Sequence, residues 1–556
     1  MDFTDQIRLV RDLLLTHPEI LAQAQQEIKY LLVDEFQDTN SLQAEIVELL
    51  VGTGHSISRL MVVGDIKQSI YRFRGAEADL IEDFAARLAA RQGKIIPLVQ
   101  NYRSNAAVIH FVNSFFSELF REESFDYQSL EAAQTEQEQH QHQHQDQEGN
   151  IEFLLTGSEG TREVEARMVA ERIKQLVLAG KGGLKYGDIV MLFRASTSMH
   201  LYQQALQRLA IPYYTASGGG FYHRPEIMDQ LNLLRLVEQR YNGVALLGLL
   251  NSPYVSLSAE SLLWLSEGRE LLEEFYDREE FSKHIPDAEN LRLLRFRQLI
   301  LALQKNREYL NIAVIIRIAL QNSNYREVLW SLPHAGQRLA NLDKLLEKAD
   351  EFTDKGFNDL HRFLEFIEKL EEALVVEGEA QTQAETSNAV RLMTIHRAKG
   401  LEFPVVILPD LDRQFPSSSQ GRLAFHKSAG IGLNIRFGEA ENAPSSLWQT
   451  IRDLDKQEEL SELKRVLYVA LTRAKQQLIL AGSGCNHSKG QTIATANNWM
   501  KWFELSLPLD TSESYLDYQG SKINIVREVP LLQEHFAALS FLAENIGLLS
   551  EKVALR

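Results

Sequence analysis

A mostly apolar run that stops abruptly on two acids constrains this chain more than any other feature. Residues 28–33 end in Leu31-Leu32-Val33, and Asp34-Glu35-Phe36-Gln37-Asp38-Thr39 follow at once. A run of this kind suits a strand of a parallel sheet, which helices cover on both faces. Acids at the carboxyl end of such a strand stand at the crevice where open α/β sheets bind ligands. There Asp34 is placed to hold Mg²⁺ and Glu35 to polarise a water for attack on a phosphoryl group. The plainer alternative is an ordinary strand ending in a solvated acidic turn, and the remaining sequence weighs against it.

The chain has 556 residues, more than one hydrophobic core serves, so about two to four domains are expected. Hydrophobic residues make up 44% and charged residues 24%, a globular balance with no run of membrane-spanning length and no signal-peptide pattern at the start. The single cysteine, Cys485, excludes a disulfide framework, a multi-cysteine zinc site and an iron–sulfur cluster. These features predict a cytoplasmic protein. A net charge of −18 argues against a simple electrostatic nucleic-acid binder, yet it leaves room for a locally basic channel around a single strand.

Patterning along the chain predicts strands at Ile28–Val33, Arg59–Val63 and Ile95–Leu98, then at Ile151–Leu155 and Ile189–Arg194. After a helical stretch from Gly218 to Val376, strands return at Val390–Thr394, Val405–Leu408 and Leu478–Leu480. Gln134 to Glu148 is a Gln/His/Glu tract that cannot build a core and reads as a surface loop; adventitious metal binding by its histidines is the weaker reading. The helical middle therefore looks like an insertion within a second α/β domain.

Three further stretches carry chemistry. In Gly64-Asp65-Ile66-Lys67-Gln68, Gln68 is an amide able to report on a terminal phosphate and orient a water. Tyr71-Arg72-Phe73-Arg74 then mixes aromatics with arginines, the combination that stacks bases and neutralises backbone. A core aromatic pair with solvated arginines is the alternative. Thr394-Ile395-His396-Arg397-Ala398-Lys399-Gly400-Leu401-Glu402 ends a strand in a polar turn. Thr394 and His396 there suit DNA phosphates and Glu402 a ribose hydroxyl; a solvated basic turn is the alternative. Arg473 is a candidate finger for a γ-phosphate, against the commoner fate of a helix-surface arginine.

DEFQDT at 34–39, GDIKQSIYRFRGA at 64–76, QNYRS at 100–104, TIHRAKGLEFP at 394–404 and LYVALTRAK at 467–475 stand in one order. In that order they resemble the motifs of UvrD/Rep-like superfamily 1 DNA helicases, a match far more specific than a lone Gly-rich string. His426-Lys427-Ser428-Ala429-Gly430-Ile431-Gly432-Leu433 is similar to a short stretch of AddA-type subunits of AddAB helicase–nucleases. The resemblance implies two RecA-like motor domains with helical insertions, ATP and Mg²⁺ as cofactors, and 3′→5′ movement on single-stranded DNA in double-strand-break and recombinational repair. It implies single-stranded and duplex DNA ends as substrates and an AddB-like partner subunit. It makes Asp34 the metal-binding acid, Glu35 the catalytic base and Gln68 the residue coupling hydrolysis to movement. Tyr102 becomes an adenine-stacking aromatic, Glu402 the ribose contact, and Arg103 and Arg473 the γ-phosphate arginines. Tyr71, Phe73, Arg74, Thr394 and His396 fall to DNA, with Phe73 as the base-stacking ring.

The family's G-x-x-x-x-G-K-[ST] phosphate loop is not in these residues: Gly93-Lys94 and Gly180-Lys181 both lack its pattern. Nor does an acid-plus-Asp-Tyr-Lys nuclease set follow Arg473. On the resemblance, the chain opens midway through a first motor domain, with its remaining strands short of partners. The expected organisation is a partial first RecA-like domain at 1–118, a low-complexity loop at 119–149, a second RecA-like domain at 150–217 and 386–505 interrupted by helices at 218–385, and a tail at 506–556. Three functions are compatible: a helicase fragment inactive alone, a non-catalytic DNA-binding scaffold, or half of a split motor whose loop comes from another chain.

Overall fold

A computed structural model describes residues 3–52, 60–90, 92–133, 150–157, 160–180, 183–216, 221–266, 271–277, 281–332, 335–354, 359–372, 388–416, 421–436, 442–484 and 492–529. The chain divides into two compact units, Met1–Tyr213 with Asn388–Arg556, and Tyr214–Ser387.

The large sheet of the first unit places strands in the order Tyr515–Tyr518, Ser521–Val526, Ile151–Leu155, Ala474–Gly482, Phe403–Leu408, Ile189–Phe193, Val390–Thr394. Neighbours are parallel except in the Tyr515–Val526 hairpin. Ile151–Leu155 and Ile189–Phe193 are buried at every position, as apolar strands with both faces covered must be. Successive side chains alternate faces. Leu154, Met191 and Ile479 pack in one core with Val169 and Ile173 of the helix Arg162–Leu178. Phe153 points the other way, 5.4 Å from Phe503, which stacks at 4.5 Å on Phe115 of the helix Ala106–Leu119. This is the α/β, RecA-like motor architecture that the sequence predicts. Val190 lies beside Arg391, so the strands Ile189–Phe193 and Val390–Thr394 are neighbours although the helical stretch lies between them in the chain.

Four expectations need correction. Ile95–Leu98 form no strand; Ile95, Ile96 and Leu98 are exposed, and the neighbouring pairing is Gln100–Asn101 with Glu131–Ala132. Ile95 and Ile96 favour strands, but Pro97 has no amide to donate to a ladder, and among the described residues no strand runs beside them. Residues 119–133 are packed rather than a loose part of the 119–149 loop, because Phe120 and Phe125 are buried and Asn113 pins Leu130 through bonds of 2.7 and 2.9 Å. The tract 134–148 itself lies outside the described residues. The helix Ala106–Leu119, read with the first motor segment, packs on the large sheet through Phe115 and a 2.9 Å contact from His110 to Ser521. Finally, the 506–556 tail begins by adding Ser521–Val526 to that sheet, beside Ile151–Leu155.

The strand bearing Asp34 is shorter than its apolar run suggests: Leu31–Val33 pairs in parallel with Leu60–Val62 in a two-stranded sheet. Phe36, Ala44 and Phe84 cover one face. The directly opposed Leu32 and Met61 on the other face are 70% and 56% exposed.

In the second unit, helices including Pro225–Glu238, Asp287–Asn306, Ile312–Gln321 and Ala335–Asp354 enclose Leu231, Leu234, Ile300, Ile316 and Leu345. Within Asp287–Asn306 the buried Leu293, Phe296, Ile300 and Leu303 recur at three- and four-residue spacing, the period of a helix face. Buried Glu226 accepts from Asn341 at 2.7 Å, and Tyr325 donates to Asp229 at 2.7 Å, so these four polar groups are paired.

One buried acid in the first unit yields a pH prediction. Glu165 accepts from the Tyr202 hydroxyl at 2.6 Å and the Asp410 amide at 2.8 Å, and burial pushes its carboxyl up to about 7. The folded chain holds this proton more tightly than the unfolded one. Its contribution to stability is therefore full below the ordinary glutamate range and is lost as pH rises through about 7. Relative to Glu165→Gln, which keeps the acceptor and removes the titration, the wild-type chain should lose about 3 kcal/mol more stability between about pH 5 and pH 8. Parallel denaturant curves for the two proteins with the same pH dependence would refute this.

Candidate functional site

The acidic turn is held in a conformation that ordinary residues avoid. Glu35 sits at φ 52°, ψ 38°, in the left-handed region, between Leu31–Val33 and a short 3₁₀ turn at Phe36–Asp38. Backbone strain of this kind persists only where surroundings impose it. Here the Asp34 carboxylate accepts from the Glu35 amide at 2.8 Å, and buried Gln37 donates to the Glu35 carboxylate. The Gln37 side-chain oxygen accepts from the Asp65 amide at 3.0 Å, tying this turn to the Gly-Asp turn after Leu60–Val62. A Cβ on Gly64 would lie 2.5 Å from Ile81 Cδ1 and 2.7 Å from Gln37 Oε1, so a larger residue at the junction would displace the Gln37 side chain that ties the turns together. Asp65 then accepts from Gln68 Nε2 at 3.0 Å and so aims the other end of that amide.

Gln68 Oε1 meets the Arg473 guanidinium at 3.4 Å, across a gap of hundreds of residues in the chain. Arg473 is buried and donates to the Val469 and Leu401 carbonyls at 3.0 and 3.2 Å. Burial, with Arg103 adding repulsion, pushes its guanidinium down to about 10, while Glu35 and Asp65 are close enough to oppose that shift. It stays charged at neutral pH. Arg103 donates to Glu402 at 3.0 Å and, more weakly, to the Thr472 carbonyl at 3.5 Å. Its loop is set by Asn101, whose side chain accepts from the Arg103 and Ser104 amides at 2.9 Å each, and by Ser104 donating to the Ala474 carbonyl at 2.6 Å. Lys475 and then Arg103 hold the Glu402 carboxyl below the usual range. Tyr102 beside them is 79% exposed, a ring face open to a planar partner.

A second cluster adjoins the first. The rings of Tyr71, Phe73 and His396 lie within 5.5–6.0 Å of one another, and Tyr71 donates its hydroxyl to the His396 carbonyl at 3.1 Å. Phe73 is 67% exposed, and the exposed Arg74 lies over both the Tyr71 and Phe73 rings at 5.2 and 5.6 Å. Burial lowers the His396 pKa, so its imidazole is neutral at pH 7. Thr394 ends the strand Val390–Thr394 and precedes the short helix Ile395–Ala398 that carries His396, without a side-chain capping bond.

Sequence reasoning passed over Lys399, which joins the two clusters. Its ammonium is almost fully buried, ion-pairs with Asp38, lies 3.5 Å from Glu35, donates to the Gln68 carbonyl at 2.9 Å and stands 5.2 Å from the Tyr71 ring centre. Read alone, a lysine in a polar Gly-containing turn looks solvated, and only its partners reveal otherwise. Gln37 and Lys475 were missed for the same reason.

For Mg²⁺, Asp34 offers an exposed hard oxygen donor, with Oδ1 on the Glu35 amide. No cluster of three metal-ligating side chains exists among the described residues. A single carboxylate nonetheless suits a cation that keeps waters and takes phosphate oxygens, so the donor set fits.

Comparison with known proteins points the same way. The model of the UvrD-like helicase C-terminal domain matches residues 96–483, and that of the UvrD/REP helicase N-terminal domain matches residues 1–89. The ATP-dependent helicase/nuclease subunit (AddA) of Listeria monocytogenes serotype 4b is 30% identical over 94% of this chain and 45% of its own length. Its counterpart in Bacillus pumilus is 32% identical over 94% and 44%, and that in Desulforudis audaxviator 33% identical over 81% and 39%. The chain thus spans less than half the length of these relatives.

Proposed function

This chain belongs to the UvrD-like helicase family, and from that premise we propose that it forms the motor core of an ATP-dependent 3′→5′ DNA helicase of the AddA type. Its setting is recombinational repair of DNA ends in the cytoplasm, with an AddB-like partner subunit. The observation that carries the reading is the meeting of Arg473 with Gln68, with Glu35, Asp65 and Arg103 close enough to act on its charge. Holding a buried arginine charged beside a strained acidic turn carries a desolvation cost that stability alone rarely requires. For phosphoryl transfer Arg473 and Arg103 would stabilise charge at the terminal phosphate, while Glu35 orients and deprotonates the attacking water. Asp34 would hold Mg²⁺, which supplies charge neutralisation at the phosphate oxygens. Tyr102 and Glu402 suit the base and ribose of the nucleotide. Phe73, Tyr71, Arg74, His396 and Thr394 suit a single strand.

The bare face of Leu32 and Met61 favours a motor completed by further polypeptide, because a parallel sheet is stable when helices cover both faces. These 556 residues contain no G-x-x-x-x-G-K-[ST] loop, whose amides and lysine cradle the phosphates. The purified chain alone should therefore hydrolyse ATP no faster than background. DNA-stimulated turnover that vanishes in Glu35→Gln would overturn that expectation and reveal another phosphate site.

Binding to DNA tests the second cluster. A stacked base contributes about 1–3 kcal/mol, so Phe73→Ala should weaken single-strand binding by roughly tenfold with little dependence on sequence. Unchanged affinity, read by anisotropy of a labelled oligonucleotide, would make Phe73 a packing residue instead.

A further inference from the structure

Arg72 and Arg74 flank Phe73 and look interchangeable in the sequence, yet their surroundings differ. Arg74 is exposed, lies over two aromatic rings, and has no carboxylate partner among the described residues. Arg72 turns to the long helix Ser446–Leu471, where its guanidinium meets Glu458 at 2.6 and 2.9 Å and Asp455 at 3.1 Å. Its backbone amide donates to a third acid of that helix, Glu462, at 3.1 Å. Glu458 is itself fixed from the other side by His426 at 3.1 Å. Nearby, Lys427 pairs with Glu77 at 2.7 Å, so the hairpin Leu423–Arg436 contacts both the helix and the chain just beyond Phe73.

We propose that Arg72 is a positioning residue: its bonds to Asp455, Glu458 and Glu462 hold the Tyr71–Arg74 turn so that the Phe73 ring faces the DNA strand, and it makes no phosphate contact of its own. A planar guanidinium can bind more than one carboxylate in a fixed orientation, and here the main-chain amide is held as well. Phe73 follows in the same short 3₁₀ turn, Arg72–Arg74, so the direction of its ring depends on that anchor. The inference rests on the DNA-binding role proposed for Phe73.

Electrostatics makes the test discriminating. Removing acids from a protein that binds a polyanion should by itself tighten binding, whereas loss of a phosphate-contacting cation lowers the slope of log K against log salt by about 0.7 on a single strand. The full chain is titrated against labelled oligonucleotide over a range of salt. Arg72→Gln should weaken binding about fivefold at unchanged slope, and Asp455→Asn with Glu458→Gln should weaken it comparably despite the lost negative charge. Combining all three changes should add little further. Arg74→Gln should instead lower the slope. The proposal is overturned if Arg72→Gln lowers the slope, or if the acid-side variant binds as tightly as wild type or tighter. Thermal melting accompanies each variant. If the double acid variant melts early, Glu458→Gln alone is held to the same standard, since it leaves Asp455 and Glu462 in place. Phe73→Ala separates the two readings: no effect there removes the DNA-binding role itself. A normal loss there beside silent acid-side variants removes only the positioning role.

Discussion

Arg473→Ala is expected to reduce DNA-stimulated ATP turnover by about a thousandfold or more, once the chain is paired with a polypeptide supplying the phosphate loop. Arginines that neutralise the transferring phosphoryl group contribute about 10³–10⁵ in rate. Arg473 is buried and anchored to the Val469 and Leu401 carbonyls, so its guanidinium is preorganised and need not reorient during reaction. Removing it also strips a donor from those carbonyls, and stability must be measured beside rate. Arg473→Lys keeps the charge but not the fork that reaches both Gln68 and the main chain, and it should recover little of the activity. A well-folded Arg473→Ala protein with turnover near wild type would remove Arg473 from the reaction.

Glu35→Gln should lower the same turnover by about 10²–10⁴, the contribution of a positioned general base. The substitution preserves size and suits the left-handed backbone no worse, so folding and DNA affinity should be nearly unchanged. That split is the diagnostic outcome. If turnover falls only with DNA affinity, Glu35 serves the structure of the turn rather than the chemistry. Gln37, which donates to Glu35 and accepts from the Asp65 amide, would then be the residue to examine, because it links the two turns.

The run Leu31–Val33 ending in Asp34-Glu35, and the order of the later motifs, are local patterns. They are legible because a parallel strand and the polar turn after it impose composition over only a few residues. By itself the sequence determined the α/β class and a helical stretch between strands, and it named the candidate residues from Asp34 to Arg473; that Ile189–Phe193 and Val390–Thr394 are neighbours in one sheet came from the structure. What it could not determine was set by contacts between residues far apart in the chain. Lys399 reads as solvated until Asp38 and Gln68 are placed around it, and Arg72 reads as a twin of Arg74 until the helix Ser446–Leu471 presents its acids. Ile95 and Ile96 have strand propensity and yet form no strand beside Pro97, while Ser521–Val526 finds a sheet edge at Ile151–Leu155. Propensity states what a segment can form, but a strand exists only where a neighbour completes its hydrogen bonds, and a charge keeps its role only where the fold decides whether it faces water or a partner. Those neighbours are supplied by tertiary structure alone.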